Sequence, residues 1–192
     1  HVICWREPAT DGNYYLKFVF WDDSTSDAND KVVDKYYGGN NCSGAPAYRG
    51  GYWYIIYHIG STIYIDKWNN DLSGKISTHT ISLTPPGSGY TPIEIPFAYV
   101  PKTLSNGYLI ALVRWKSGST YKATVHSISL SSFSEIDYIL LDYQNPAFAH
   151  FLLERFYPPV VVFGWNDRFG IVQVNSDGSL NTVSYTHLTL PT

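Results

Sequence analysis

Gly50-Gly51-Tyr52-Trp53-Tyr54-Ile55-Ile56-Tyr57-His58 is a glycine turn followed by an unbroken run of aromatic and β-branched residues. Such a run fits a strand, and the glycines before it fit a tight turn. With its lead-in Pro46-Ala47-Tyr48-Arg49, the segment lines up with Pro8-Ala9-Thr10-Asp11-Gly12-Asn13-Tyr14-Tyr15-Leu16-Lys17-Phe18-Val19-Phe20. The pattern returns at Asn106-Gly107-Tyr108-Leu109-Ile110-Ala111-Leu112-Val113 and again at Pro158-Pro159-Val160-Val161-Val162-Phe163-Gly164-Trp165. Phe97-Ala98 and Phe148-Ala149 precede the last two strands at matching distances. The chain is therefore a repeat, with an irregular period of about 40 to 55 residues.

Each of the last three strands runs into a short polar or glycine-containing turn and a second strand. Gly60-Ser61 leads to 62–66, Lys116-Ser117-Gly118-Ser119 to 120–127, and Asn166-Asp167-Arg168 to 169–174. These are hairpin connections. Third strands are predicted near 75–83 and 136–141. Three or four antiparallel strands per unit, repeated, predict an all-β fold: an incomplete β-propeller of about four antiparallel blades forming an open arc. A two-sheet sandwich also has short strands and turns, but it does not explain the repeated motif. Asn145-Pro146 followed by Phe148, Phe151, Leu152 and Phe156 imitates a capped amphipathic helix. The matching stretch Phe97-Ala98-Tyr99-Val100-Pro101 carries a proline that would break one, so the segment is expected to be extended or irregular.

Composition narrows the function classes. The 192 residues carry 15% charged and 17% aromatic side chains, four Glu against seventeen Tyr, and a net charge of −3. That is strand-forming material with enough apolar content for a core. No basic cluster offers a footprint for nucleic acid, and no apolar run reaches the length of a membrane helix. Residue 1 is His and the chain contains no Met. Residues 183–192, Val-Ser-Tyr-Thr-His-Leu-Thr-Leu-Pro-Thr, resemble the translation of a sequencing-library adapter. The expectation is that 1–182 are a fragment of one propeller domain, truncated at both ends and of metagenomic origin, and that 183–192 are a non-native tail.

Chemical motifs are sparse. Cys4 and Cys42 could pair in an oxidising compartment or stand as separate thiols. Asn41-Cys42-Ser43 fits the glycosylation pattern. The loop Asp22-Asp23-Ser24-Thr25-Ser26-Asp27-Ala28-Asn29-Asp30 offers hard oxygen ligands for calcium but lacks the spaced acidic order and its glycine. It reads as a solvated hairpin tip, and no cofactor or metal is expected. His58, His79, His126 and His150 fall in separate units without a metal-binding or catalytic neighbour motif, so each reads as a satisfied or exposed histidine. No nucleophile elbow, phosphate loop or dinucleotide fingerprint occurs.

Asp11-Gly12-Asn13-Tyr14-Tyr15-Leu16 and Gly51-Tyr52-Trp53-Tyr54-Ile55-Ile56-Tyr57 resemble the Gly-x-Tyr-Tyr strands of carbohydrate-active propellers, the five-bladed glycosidases and sialidase-like proteins. Asp66-Lys67-Trp68-Asn69-Asn70-Asp71-Leu72 is similar to the segment that follows in those families, without its serine. The resemblance implies a propeller, while Tyr-, Trp-, Ser- and Asn-rich loops with little charge point to a secreted or surface binding or scaffold module for a glycan or protein ligand. The alternative is a glycan-processing enzyme whose catalytic residues lie partly outside the chain. A glycosidase needs two opposed carboxyl groups, and no matched pair is evident. Asn175-Ser176-Asp177-Gly178 lacks the downstream Trp of a sialidase Asp-box. If the repeated strand is the innermost of each blade, the lead-in segments form one rim. Asp11, Tyr48, Arg49, Tyr99 and His150 are then the candidate ligand-binding residues, with stacking faces at the two tyrosines and polar groups at the other three.

Overall fold

The computed structural model describes residues 2–8, 14–20, 31–37, 42–102, 104, 107–141, 149–153, 158–165 and 168–185. Fifteen strands form four antiparallel sheets, each a meander in chain order. The first holds β1 (Val2–Pro8), β2 (Tyr14–Phe20) and β3 (Lys31–Tyr37). The second holds β4 (Cys42–Arg49), β5 (Tyr52–Ile59), β6 (Thr62–Asn69) and β7 (Lys75–Ile81). The third holds β8 (Thr91–Tyr99), β9 (Tyr108–Ser117), β10 (Thr120–Ser129) and β11 (Ser134–Leu141). The fourth holds β12 (Ala149–Leu153), β13 (Val160–Trp165), β14 (Arg168–Val174) and β15 (Leu180–Tyr185). Two-residue turns set the registers: Gly50-Gly51 opposes Arg49 to Tyr52, Gly60-Ser61 opposes Ile59 to Thr62, and Gly118-Ser119 opposes Ser117 to Thr120. The glycine opening each turn has positive φ, as hairpin turns require. No helix occurs among the described residues, and none is long and apolar enough to cross a membrane.

Adjacent sheets pack face to face through three apolar cores. Leu16 of the first sheet joins Cys42, Ile55, Tyr57, Trp68 and Leu72 of the second. Tyr54, Ile56, Ile63 and Ile65 of the second meet Ile95, Leu109, Ala111 and Trp115 of the third. Ile110, Leu112 and Val125 of the third meet Val161, Val172 and Val174 of the fourth. Among the described residues no core joins the first sheet to the fourth. The sheets are the blades of an incomplete β-propeller arranged as an open arc.

One detail differs from the sequence expectation. The repeated Tyr-rich strand is the second of each blade, not the innermost. The first strands are the ones that adjoin: β4 lies against both β1 and β8. Ser43 Oγ accepts the Ile95 N–H at 3.1 Å, and Arg49 donates to the Pro101 carbonyl. Both pairs are 52 residues apart, so β4 and β8 run in the same direction at one fixed offset. These strands escaped notice because their residues are small or proline-rich, Cys-Ser-Gly-Ala-Pro-Ala-Tyr-Arg in β4. Converging blades need that smallness. A Cβ on Gly44 would lie 2.7 Å from the Ile56 carbonyl oxygen and from Tyr57 Cβ, and 3.1 Å from Leu16. The segment read as a false helix is strand β12 over Ala149–Leu153; Asn145 and Pro146 lie outside the described residues. The acidic loop 22–30, expected to be a solvated hairpin tip, also lies outside them, as does the Cys4 side chain, while Cys42 is buried in the first core. Strand β15 continues through Val183, Ser184 and Tyr185, which pair with Ile171, Gly170 and Phe169.

A second repeat emerges at the turn between the third and fourth strands. Asn69-Asn70-Asp71-Leu72-Ser73 and Asn175-Ser176-Asp177-Gly178-Ser179 share one bonding scheme. In each, the Asn side chain donates to the Ser hydroxyl, at 2.7 and 2.9 Å. The Ser N–H donates to the Asp carboxylate, at 3.0 and 2.9 Å. The third blade has Leu130-Ser131-Ser132-Phe133-Ser134 at the same place. The residue before the last serine is left-handed in all three: Leu72 at φ 55°, Phe133 at 52° and Gly178 at 86°. Each reaches the preceding blade. Leu72 enters the core with Leu16, Phe133 stacks on His79 at 3.6 Å, and a Cβ on Gly178 would sit 2.6 Å from the Tyr108 ring. A left-handed Leu or Phe is strained, and burial against the neighbouring blade offsets that strain.

This predicts a contrast between two glycines. Gly178→Ala meets both an unfavourable φ and the Tyr108 ring, and should cost at least about 2 kcal/mol. Gly51→Ala has φ 84° but nothing within 4 Å of the added carbon, and should cost about 1 kcal/mol. Urea denaturation of the two variants checks the difference.

Candidate functional site

The Gly50-Gly51 turn gathers aromatic residues at one end of the second blade. Across it Tyr48 faces Trp53, Arg49 faces Tyr52, and β6 adds Trp68 beside Trp53 and Asn69 beside Tyr52. Tyr48 and Trp53 lie 4.9 Å apart between ring centroids at 51°. Lys67 Nζ stands 3.9 Å over the Tyr52 ring and 5.9 Å from that of Tyr54. The Trp53 indole N–H donates to the Asn70 carbonyl at 3.0 Å. Burial, with a further push from Tyr52, raises the Tyr54 phenol above its ordinary value against an opposing pull from Arg49. Tyr48 and Tyr52 each keep 39% of their surface exposed. Tyr48 packs on Trp53 on the face toward the first blade, and Tyr52 lies under Lys67 on the face toward the third, so the two half-open rings flank the end of the blade from opposite sides.

Arg49 donates from both terminal nitrogens to the Pro101 and Leu104 carbonyls, in the segment that follows β8. It thereby ties the end of β4 to the end of β8, where Tyr99 sits 6.5 Å from Phe97. Tyr48, Arg49 and Tyr99 thus occupy the same end of two parallel strands. The tyrosines point apart. Tyr48 shares its face of β4 with Cys42 and Gly44, toward the first blade, whereas Tyr99 shares its face with Phe97, which packs on the core toward the fourth. Asp11 lies outside the described residues. The backbone of His150 is in β12 opposite Phe163, and its side chain is not among those described. Tyr52, Trp53 and Lys67 were absent from the sequence-based set. The two-residue turn was the signal for them, because it fixes which side chains face Tyr48 and Arg49.

The carboxyl side chains that the structure describes, Asp66, Asp71, Glu94, Glu135, Asp137 and Asp177, are each engaged by the fold, while those of Glu7 and Asp34 are not among the described side chains. Asp66 is fully buried and accepts from Tyr57 at 3.4 Å and Thr78 at 2.5 Å. Glu94 pairs with Arg114. Asp71 and Asp177 build the turns described above. Asp137 accepts the Leu180 N–H at 2.8 Å, across to the fourth blade. Glu135 accepts the Thr84 N–H and hydroxyl, each at 2.7 Å, across to the segment leaving the second blade.

Glu135 also ends a buried chain in the third blade. The Trp115 indole N–H reaches Thr124 Oγ1 at 2.6 Å, Thr124 Oγ1 is 2.5 Å from His126 Nε2, and His126 Nδ1 is 3.0 Å from Glu135 Oε2. The order of hydroxyl, imidazole and carboxylate matches that of a nucleophile with its base and orienting acid. Thr124 and His126 are both wholly buried, however, and the hydroxyl already accepts from Trp115. The chain braces the blade. Burial lowers the His126 pKa and outweighs the hydrogen bond and charge of Glu135, which raise it. For Glu135 burial raises the pKa, but the bonds from His126 and Thr84 together bring it below its ordinary value. The pair is therefore a neutral imidazole, with its proton on Nδ1, beside an ionised carboxylate. Donors then run in one direction on each side of the ring.

No family model matches the chain, and no curated protein matches it. Among solved structures, a bifunctional GH43-CE protein of Bacteroides eggerthii is similar, at a TM-score of 0.47 and 14% identity over 99% of this chain. The chain spans 27% of that protein's length. The blade assignment above stands on strand order, cores and turn repeats.

The buried chain predicts a pH dependence. His126 in the fold binds fewer protons than in the unfolded chain once pH falls below about 6.5, so stability falls with it. Glu135 adds a loss of the same sign at lower pH, as it passes from its unfolded to its depressed folded pKa. Urea unfolding between about pH 7.5 and 5.5 should show a decline that is shallower in His126→Gln. At the upper pH that variant should be less stable by about 1–2 kcal/mol.

Proposed function

We propose that the chain is a glycan-binding module, working as a secreted or surface protein, with the aromatic end of the second blade as its contact surface. The observation that carries this reading is the two half-exposed tyrosines that flank the end of the second blade, Tyr48 held by Trp53 on one side and Tyr52 by Lys67 on the other. Sugar rings present apolar C–H faces that stack on such rings, and their hydroxyls bond to polar groups around them. Rings already held in place lose little freedom on binding. Tyr99, at the same end of the third blade and turned toward the fourth, would be a separate stacking face, with Arg49 tying its strand to β4. Asp11 and His150 would supply the equivalent polar positions on the first and fourth blades.

A glycan array followed by titration of the strongest ligand tests the reading. Tyr48→Ala and Tyr52→Ala should each weaken binding about tenfold or more, with the melting transition unchanged. A bound glycan indifferent to both substitutions, or no glycan bound at all, would contradict it.

A further inference from the structure

The face that the second blade turns to the third is basic at its aromatic end. Arg49 continues the side of β4 that carries Ala45 and Ala47, and Lys67 the side of β6 that carries Ile63 and Ile65. Tyr52 and Tyr54 share that side with Ile56 on β5. Register sets Arg49 opposite Tyr52 and Lys67 opposite Tyr54. Lys67 Nζ rests over the Tyr52 ring, and the Arg49 charge opposes the rise that burial imposes on the Tyr54 phenol. The four strands of this blade hold one carboxyl residue, Asp66, and it lies on the other side with Tyr57. Among the described residues no carboxylate or carbonyl accepts a hydrogen bond from Lys67. Lys102, which is exposed, follows the Pro101 carbonyl that Arg49 holds and brings a third cation to this end.

We propose that this end of the second blade selects negatively charged glycans, the Lys67 ammonium meeting the carboxylate or sulfate of a sugar residue seated beside Tyr52. This rests on the glycan-binding reading above and names the class of glycan. An ammonium over a ring is attracted by the ring's negative face, but its remaining N–H donors have no acceptor there. A bound anion supplies both the counter-charge and the acceptors, through charge-assisted hydrogen bonds. A neutral sugar gains only the stacking. Arg49 contributes field rather than contact, because both its terminal nitrogens already donate to the Pro101 and Leu104 carbonyls. The chain as a whole carries −3, which repels an acidic glycan at long range. Selection of an acid therefore depends on this local cluster, and salt weakens it.

Calorimetry on the full chain compares neutral glycans with uronate-bearing and sulfated glycans of the same length, at low and at physiological salt. Lys67→Met keeps an unbranched chain against the ring and removes the charge, whereas Lys67→Arg keeps the charge. Lys116→Met makes the same change in net charge at the far end of β9. The expected result is that uronate-bearing or sulfated glycans bind about tenfold or more tightly than their neutral counterparts. That preference should vanish in Lys67→Met, persist in Lys67→Arg and Lys116→Met, and shrink with salt. The two anionic series tell carboxylate from sulfate. Neutral and acidic glycans bound alike, or a preference that survives Lys67→Met or falls equally in Lys116→Met, overturns the proposal and leaves the glycan-binding reading standing. No binding of any glycan overturns both.

Discussion

The second strand of each of the two middle blades is apolar on both sides, and a strand of that kind cannot be buried by one neighbour. In β9, Leu109, Ala111 and Val113 enter one core while Tyr108, Ile110 and Leu112 enter the next. In β5, Tyr54 and Ile56 go one way and Ile55 and Tyr57 the other. A sheet built around such a strand needs a sheet on each face, so stability comes from stacking and is shared between neighbours. The first strands must then converge, which is why β4 is made of small residues and why Gly44 tolerates nothing larger.

Stacking alone leaves adjacent blades able to slide, and polar ties fix their offset. Arg49 holds the end of β8 from the end of β4, Ser43 holds Ile95, Glu135 holds Thr84, and Asp137 holds Leu180. Each tie joins a side chain to backbone of the next or preceding blade, so each requires one register. The left-handed turn residues Leu72, Phe133 and Gly178 act in the same sense through shape, with a leucine, a phenylalanine ring and a bare backbone each matched to its own seat. The aromatic end is a by-product of this joint and sits where the hairpin turn rises beside the Arg49 tie.

The class of fold was legible because the repeated second strand is dense in Tyr, Trp and Ile and is preceded by glycine. The Gly-Ser turns likewise gave the hairpins. The first strands were not legible: Cys42–Arg49 and Ala149–Leu153 carry weak strand signals, and it is packing against neighbours that makes them extended. Mistaking the second strand for the innermost followed directly, since apolar density marks burial on two faces rather than nearness to the axis. The turn repeat was hidden because its defining feature is a backbone angle, held by Leu, Phe and Gly in turn. Of the candidate site, Tyr48, Arg49 and Tyr99 fall at one end of adjoining strands, but the outward divergence of the two tyrosines depends on a face assignment that the sequence alone does not carry. The chain from Trp115 to Glu135 was invisible for another reason: Thr124 and His126 share a strand, while Trp115 and Glu135 reach them only through cross-strand pairing and the Thr84 link forms only between blades.

The second, third and fourth blades each seat a left-handed turn residue on the blade before. Nuclear Overhauser contacts in the folded chain measure this directly. Cross-peaks are expected between the Gly178 α-protons and the Tyr108 ring, with those protons displaced by the ring current, and between the Phe133 and His79 rings. A folded protein in which both sets are absent would contradict the stacking of blades on which everything else here depends.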